Sequence, residues 1–177
     1  MVPVIKKILF ATDLSENSRH AFCYAAALAT GQKAGIVMLH ILEETGTGID
    51  RQLSNLFGKE KWEQMQEAHK TTARDIIISK RKDYDIIRNA LASFSTFTDT
   101  DDFKSDFETH DIIVKRGDAI EEILNVAAEK NCDLIVMGSH KGLLGKTAVS
   151  KVAKGILNQT KIPVLIVPPP KTEKSEK

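Results

Sequence analysis

Five short apolar runs, most of them rich in β-branched residues, punctuate the chain: IKKILFA at 5 to 11, AGIVMLHI at 34 to 41, THDIIVK at 109 to 115, CDLIVMG at 132 to 138 and IPVLIVP at 162 to 168. Each has the length of a strand. The second, fourth and fifth are nearly continuous in apolar character, the pattern of strands covered on both faces rather than wet on one. Between the runs the hydrophobic period lengthens to that of a helix. From Asn17 to Thr30 the chain is Ala-rich, with Ala21, Phe22, Ala25 and Leu28 at helical spacing and Gly31 placed to stop the helix. In DAIEEILNVAAEK, Asp118 followed three residues later by Glu121 predicts a capping box, and Ile120, Ile123, Leu124 and Ala127 form one apolar stripe. A last helix is predicted from about Thr147 to Gln159, pointing Val149, Val152, Ala153, Ile156 and Leu157 at the core and carrying Lys151, Lys154 and Asn158 on its other face.

Strands alternating with helices along the whole chain predict a doubly wound α/β domain, a parallel sheet with right-handed crossovers and helices on both faces, over residues 1–168. The stretch 42–108 is the least regular and far longer than one crossover helix requires. Within it, Trp62, Met65, Ile76 and Ile77 predict a long helix from about Lys59 to Lys82, and DYDIIRNALASF at 83 to 94 a further short one. The acidic, Thr-rich segment that follows reads as a surface loop. Residues 169–177, polar and proline-led, read as a disordered tail. There is no internal repeat.

With 177 residues, 42% hydrophobic and 28% charged, the chain is long enough for one core and too short to make two domains the first expectation. The 25 basic and 24 acidic side chains nearly cancel, to a formal net charge of +1, so no general field serves nucleic acid or an anionic membrane. Neither is expected as a partner, and any phosphate recognition must be local. The apolar run near the N-terminus is interrupted by Asp13 before it reaches the length of a signal peptide or a membrane span, so the expectation is a soluble, cytoplasmic protein. Cys23 and Cys132 stand far apart, outside any CxxC pattern, and read as two buried free thiols rather than a disulfide or zinc site.

In an open parallel sheet, ligands gather at the carboxyl ends of the strands where the winding reverses. That directs attention to Ala11 to Ser15 after the first strand, Ile41 and Leu42 after the second, and Gly138 to Thr147 after the fourth. The last of these joins a strand to a helix. Its backbone N–H groups and the helix N-terminus suit a phosphate, while its glycines also suit a sharp turn with no ligand at all. Gly145-Lys146-Thr147 matches the end of a P-loop, but that motif needs glycine at position 140, which is His140. His40, near the end of a buried strand, reads as a hydrogen-bonded core histidine, since no partner sits at metal spacing. Arg116-Gly117-Asp118 reads as the turn from strand to capped helix. No convincing general base or acidic pair for Mg²⁺ is visible, so turnover is not expected.

The chain resembles the universal stress proteins in IKKILFATDLSENSRHAFCYAAALA, MLHILE, VKRGDAIEEIL, CDLIVMGSHKG and SKVAKGILNQTKIPVLIVP, pieces that occur in family order and at family spacing. The resemblance implies a five-stranded parallel sheet, commonly dimeric, with ATP bound by some members through a G-x-x-G-x9-G-[ST] motif, Mg²⁺ accompanying it. Carried over by position, it implies that Asp13 contacts the nucleoside, Ile41 lies beside the adenine and Gly138 is the first motif glycine. The second motif glycine falls on Lys141, with Gly142 adjacent, and the closing Gly-Ser pair on Ser150-Lys151. The implied nucleotide site is thus Asp13, Ile41, Gly138, Ser139, His140, Lys141, Gly142, Ser150 and Lys151, its phosphate half altered because side chains stand where glycine would admit phosphate to the backbone. Two readings follow: a homodimeric stress-response regulator with a weak or degenerate adenine-nucleotide (ATP) site, or a dimeric interaction protein of the same fold that binds no nucleotide.

Overall fold

Lys7–Thr12 (β1) is the centre of the molecule, pairing in parallel with β2 (Gly35–Leu42) on one side and β4 (Leu134–Gly138) on the other. The computed structural model describes residues 2–42, 58–61, 73–94, 107–141 and 147–170. β3 (Glu108–Arg116) lies outside β2, and β7 (Val164–Val167) outside β4, giving the five-stranded parallel order β3-β2-β1-β4-β7. The five apolar runs of the sequence are these five strands. Two short strands, β5 (His140–Lys141) and β6 (Thr147–Ala148), form a separate antiparallel ribbon.

Alternate side chains of each strand feed two cores. On one face Ile8, Phe10, Ile36, Met38 and Val136 pack under α1 (Glu16–Gln32) and α2 (Ala73–Phe94). On the other Leu9, Ala11, Val37, Leu39, Ile135 and Met137 pack under α3 (Ala119–Glu129) and α4 (Lys151–Gln159). The two-sided cover explains why β2 is buried along its whole length and reads as an unbroken apolar run. Ala21, Ala25, Ala26 and Ala29 are fully buried, so α1 offers the sheet a face of small side chains. Phe22, also buried, meets Phe10, Phe94 and Phe107 with ring centroids 5.1, 5.7 and 5.9 Å apart, pinning the end of α2 and the approach to β3 to one aromatic cluster.

Several expectations are corrected. The break expected near 82 is absent, because 73–94 is one helix of 22 residues. α1 ends not at Gly31 but at Gln32, and the next residue, Lys33, takes a left-handed φ of 54° while its N–H caps the Ala29 and Thr30 carbonyls. The final helix begins at Lys151 rather than Thr147, since Thr147 and Ala148 pair with β5 and Ser150 caps the helix. Val149, expected in the core, thus precedes the helix and is exposed; Leu157, also expected there, lies within it and is exposed as well. β3 starts at Glu108, inside the expected loop. Cys23 is exposed, since helical period turns Phe22 inward and its neighbour out. The remainder of that loop, Trp62, Met65 and the tail at 171–177 lie outside the described residues. Among the described residues, no helix is long and apolar enough to cross a membrane.

The two sheet edges differ. β3 carries ion pairs, Asp111 with Lys130 at 2.6 Å and Lys115 with Glu122 at 2.9 Å. The hydrogen bond from Lys130 holds the Asp111 carboxyl below its ordinary range. β7 reads Val-Leu-Ile-Val with no charge. At the amino end of the sheet, the Asp133 carboxylate accepts from the Lys6 and Lys7 N–H groups at 2.8 and 3.0 Å, tying β1 to the start of β4.

Asp133→Ala leaves those two amides without their acceptor, and urea unfolding should show a loss of about 0.5–1.5 kcal/mol, against a loss near zero for removal of an exposed mid-helix carboxylate such as Asp85. The thiols give a second test. Burial pushes Cys132 up to about 11, so a thiol reagent at mildly alkaline pH should label Cys23 at once and Cys132 only on unfolding. Because the folded thiol keeps its proton where the unfolded one loses it, stability should fall as pH rises from about 9 towards 11, and less so in Cys132→Ala.

Candidate functional site

The winding of the sheet reverses at β1: the chain steps outward through β2 and β3, then crosses to β4 and β7 on the far side. The carboxyl ends of β1 and β4 therefore splay apart, and a cleft opens between them. The β1 exit is tightly determined. Thr12 accepts a 2.8 Å hydrogen bond on its carbonyl from Nδ1 of His40, which is fully buried, and a 3.0 Å bond on its Oγ1 from the Leu14 N–H. Leu14, buried in the core, is forced to a φ of 63°, a left-handed conformation that costs a bulky residue about 1–3 kcal/mol. That reversal leaves Asp13 at the cleft. Its Oδ1 accepts from the Ser15 N–H at 3.0 Å and from the Ser18 hydroxyl at 2.5 Å. Ser15 in turn caps α1 by accepting from the Ser18 N–H.

The β4 exit runs against the same helical turn. A Cβ placed on Gly138 would stand 3.2 Å from the Asn17 carbonyl oxygen, so the strand approaches α1 as closely as only glycine allows without displacement. The glycine thus has a packing reason of its own, beside any ligand. Ser139 follows, fully buried: its N–H donates to the Val167 carbonyl at 2.8 Å, its carbonyl accepts from Asn17 Nδ2 at 3.2 Å, and its hydroxyl has no partner. His140 and Lys141 then enter the ribbon with β6, which returns the chain to Ser150. Ser150 Oγ accepts from the Ala153 N–H at 3.0 Å and starts α4.

Three helix N-termini border or support the cleft, and their charges differ. α1 has Glu16 in its first turn, and α3 has the Asp118 cap with Glu121 and Glu122. Those carboxylates complement the partial positive charge of the exposed N–H groups. α4 has no acidic residue there and begins with Lys151 instead. Its Lys151 and Val152 N–H groups face the cleft end of the helix, while the Ala153 N–H is taken by Ser150. Among the described residues its first turn holds no acidic side chain, and such a terminus suits an anion.

The cleft has a volume of about 270 Å³ and brings together Asp13, Ile41, Gly138, Ser150 and Lys151, five of the nine residues expected from the sequence. Leu39, Met137 and Ile123 supply its apolar walls. Ser139 lies behind the wall rather than in it, because its N–H is committed to β7. For His140 and Lys141 the backbone alone is described, and Gly142 lies outside the described residues. Sequence reasoning missed Ser18 and Asn17. The signal was present in Asp13-x-Ser15-x-x-Ser18, where spacing returns the second serine to the carboxylate one helical turn later. Among the described residues, no group of three His, Cys, Asp or Glu could hold a metal ion.

The Universal stress protein family matches residues 5–168 of the chain. A curated universal stress protein of Methanocaldococcus jannaschii is 27% identical over 169 residues, covering 94% of this chain and 97% of its own. The solved structure of that protein superposes with a TM-score of 0.65 at 23% identity, covering 96% of this chain and all of the other. A universal stress protein of Archaeoglobus fulgidus solved in complex with dAMP superposes with a TM-score of 0.53 at 17% identity, covering 93% of this chain and 99% of that one. Another, solved in complex with cAMP, gives 0.51 at 19%, covering 93% and 98%. With the family matched from the first strand to the last and the same five-stranded sheet in its solved relatives, the chain belongs to the universal stress protein family.

Proposed function

We propose that the protein is a stress-response regulator that binds an adenine nucleotide in the cleft between β1 and β4, and acts through association rather than turnover. One observation carries this reading: a single cleft places an oriented carboxylate, Asp13, beside apolar walls and the N-terminus of α4, whose first turn holds no acidic residue. The apolar walls suit a purine face, the carboxylate suits ribose hydroxyls as an acceptor, and the α4 terminus suits a phosphoryl group. Relatives of the same fold, solved with dAMP and with cAMP, support an adenine nucleotide as the ligand class.

The phosphate half accommodates one phosphoryl group better than three. Ser139 N–H is spent on β7, His140 and Lys141 are in the ribbon, and Ser150 Oγ accepts from its own helix, which leaves its single O–H as a donor. What the described residues offer is that hydroxyl, the first amides of α4 and the exposed Lys151. ATP with Mg²⁺ would bring its own metal, held by its phosphates, since the described residues present no ligand cluster for one. The same arrangement favours a second reading, an interaction protein that has given up nucleotide: side chains at Ser150 and Lys151 stand where the family's glycine cradle would be. Unfolding the purified protein and weighing any released small molecule separates the two.

Titration calorimetry should find AMP tighter than adenosine by about tenfold, the increment of one charge-assisted phosphate contact, and ATP within about threefold of AMP. Asp13→Ala should weaken all three together. Ser150→Gly with Lys151→Ser should tighten ATP selectively and reduce its salt dependence. ATP binding far tighter than AMP by the unaltered protein would place the triphosphate on donors beyond those named.

Self-association belongs to the same reading. β7 is an uncharged edge, half-buried in the isolated chain, whereas the opposite edge is guarded by ion pairs. An open apolar edge is stabilised by pairing, and a two-fold axis lets the strand pair with its own copy. Sedimentation at micromolar concentration should give a dimer mass, and Val164→Lys a monomer that keeps its helical circular dichroism.

A further inference from the structure

The first turn of α1 touches both ends of the cleft. Ser18 is buried, 3% exposed; its hydroxyl donates to Asp13 Oδ1, and its Oγ accepts from the Asp13 N–H at 3.4 Å. Its neighbour Asn17 reaches the other way. Nδ2 donates to the Ser139 carbonyl at 3.2 Å, and the Asn17 carbonyl is the atom against which Gly138 is packed. Two consecutive residues therefore hold the exits of two different strands, 122 positions apart in the case of Asn17 and Ser139.

We propose that Ser18 and Asn17 are positioning residues of the nucleotide cleft: Ser18 sets the Asp13 carboxylate at the nucleoside end, Asn17 sets the β4 exit at the phosphate end, and the rigid turn between them fixes the span. The proposal rests on the nucleotide reading above. A hydroxyl donated to a carboxylate is a charge-assisted bond, short and directional, so it selects one carboxylate orientation before any ligand arrives. A ligand that finds the acceptor already aimed is spared the cost of ordering it. Asn17 acts on a different group. Its amide restrains a carbonyl of the segment that leads into the ribbon and on to Ser150.

The two residues should consequently be separable by ligand. With adenosine and AMP as probes, Ser18→Ala should weaken both by about three- to tenfold, the loss of one hydrogen bond's orientation, whereas Asn17→Ala should weaken AMP by a similar factor and leave adenosine within about twofold. In an Asp13→Ala background, Ser18→Ala should cost much less than it does in the unaltered protein, because the carboxylate it orients is gone. Melting curves fix a temperature at which each variant is folded. Should Ser18→Ala fail to fold, the Asn17→Ala split between the two ligands decides the matter alone. Additive losses from Ser18→Ala and Asp13→Ala, or an Asn17→Ala variant that loses adenosine and AMP equally or neither, would overturn the inference. An unaltered protein that binds neither probe overturns the nucleotide reading itself, and this inference with it.

Discussion

The placement of β1 between two neighbouring strands and under two helical layers is the constraint on which the rest depends. Ile8, Leu9 and Phe10 are fully buried, alternating between the two cores. A strand so enclosed has no room to wander at its end. The chain must turn within Thr12, Asp13 and Leu14, and the buried bonds from His40 and Leu14 to Thr12 fix how it does so. The strain at Leu14 is sustained because Leu14 itself is locked in the core. Burial at the centre of the sheet thus delivers a carboxylate to its rim.

The helices then convert a rim into a site. α1 approaches the sheet through buried alanines, near enough that a Cβ at Gly138 would crowd the Asn17 carbonyl where β4 passes it. That close approach joins the two strand ends across the reversal. α3 and α4 lie on the opposite layer, and the difference in their first turns gives the cleft its polarity: Asp118, Glu121 and Glu122 satisfy one terminus, Ser150 and Lys151 begin the other. Ser150 is the cap that starts α4, so under the proposed nucleotide reading the stability of that helix and room for a phosphate at its end pull in opposite directions. The edges of the sheet divide labour similarly, with ion pairs along β3 and a bare apolar β7.

Five strands, the α3 cap at Asp118 and the core histidine at position 40 were legible because each is fixed by local pattern: β-branched runs, a carboxylate before an apolar stripe, a polar ring inside an apolar strand. Asp13, Ile41, Gly138, Ser150 and Lys151 were legible as residues just past strands or at the start of the last helix. Helix limits were less so. Gly31 looked like a terminator but Lys33 performs that role, and Val149 looked like a core position although pairing of β5 with β6 delays the helix to Lys151.

The sequence by itself determined the sheet, its two-sided cover and the strand ends where chemistry would gather, since these follow from hydrophobic period and from the rule that parallel strands need crossovers. Only the tertiary structure decided that Gly138 answers to the Asn17 carbonyl, that the Ser139 N–H is spent on β7, and that Ser18 orients Asp13. It also decided that Cys23 faces out while Cys132 is buried. The physical reason is the same each time. Periodicity records which face of an element is apolar, whereas a close approach or a hydrogen bond between residues far apart in the chain depends on the angle and distance at which two elements dock, and packing alone sets those.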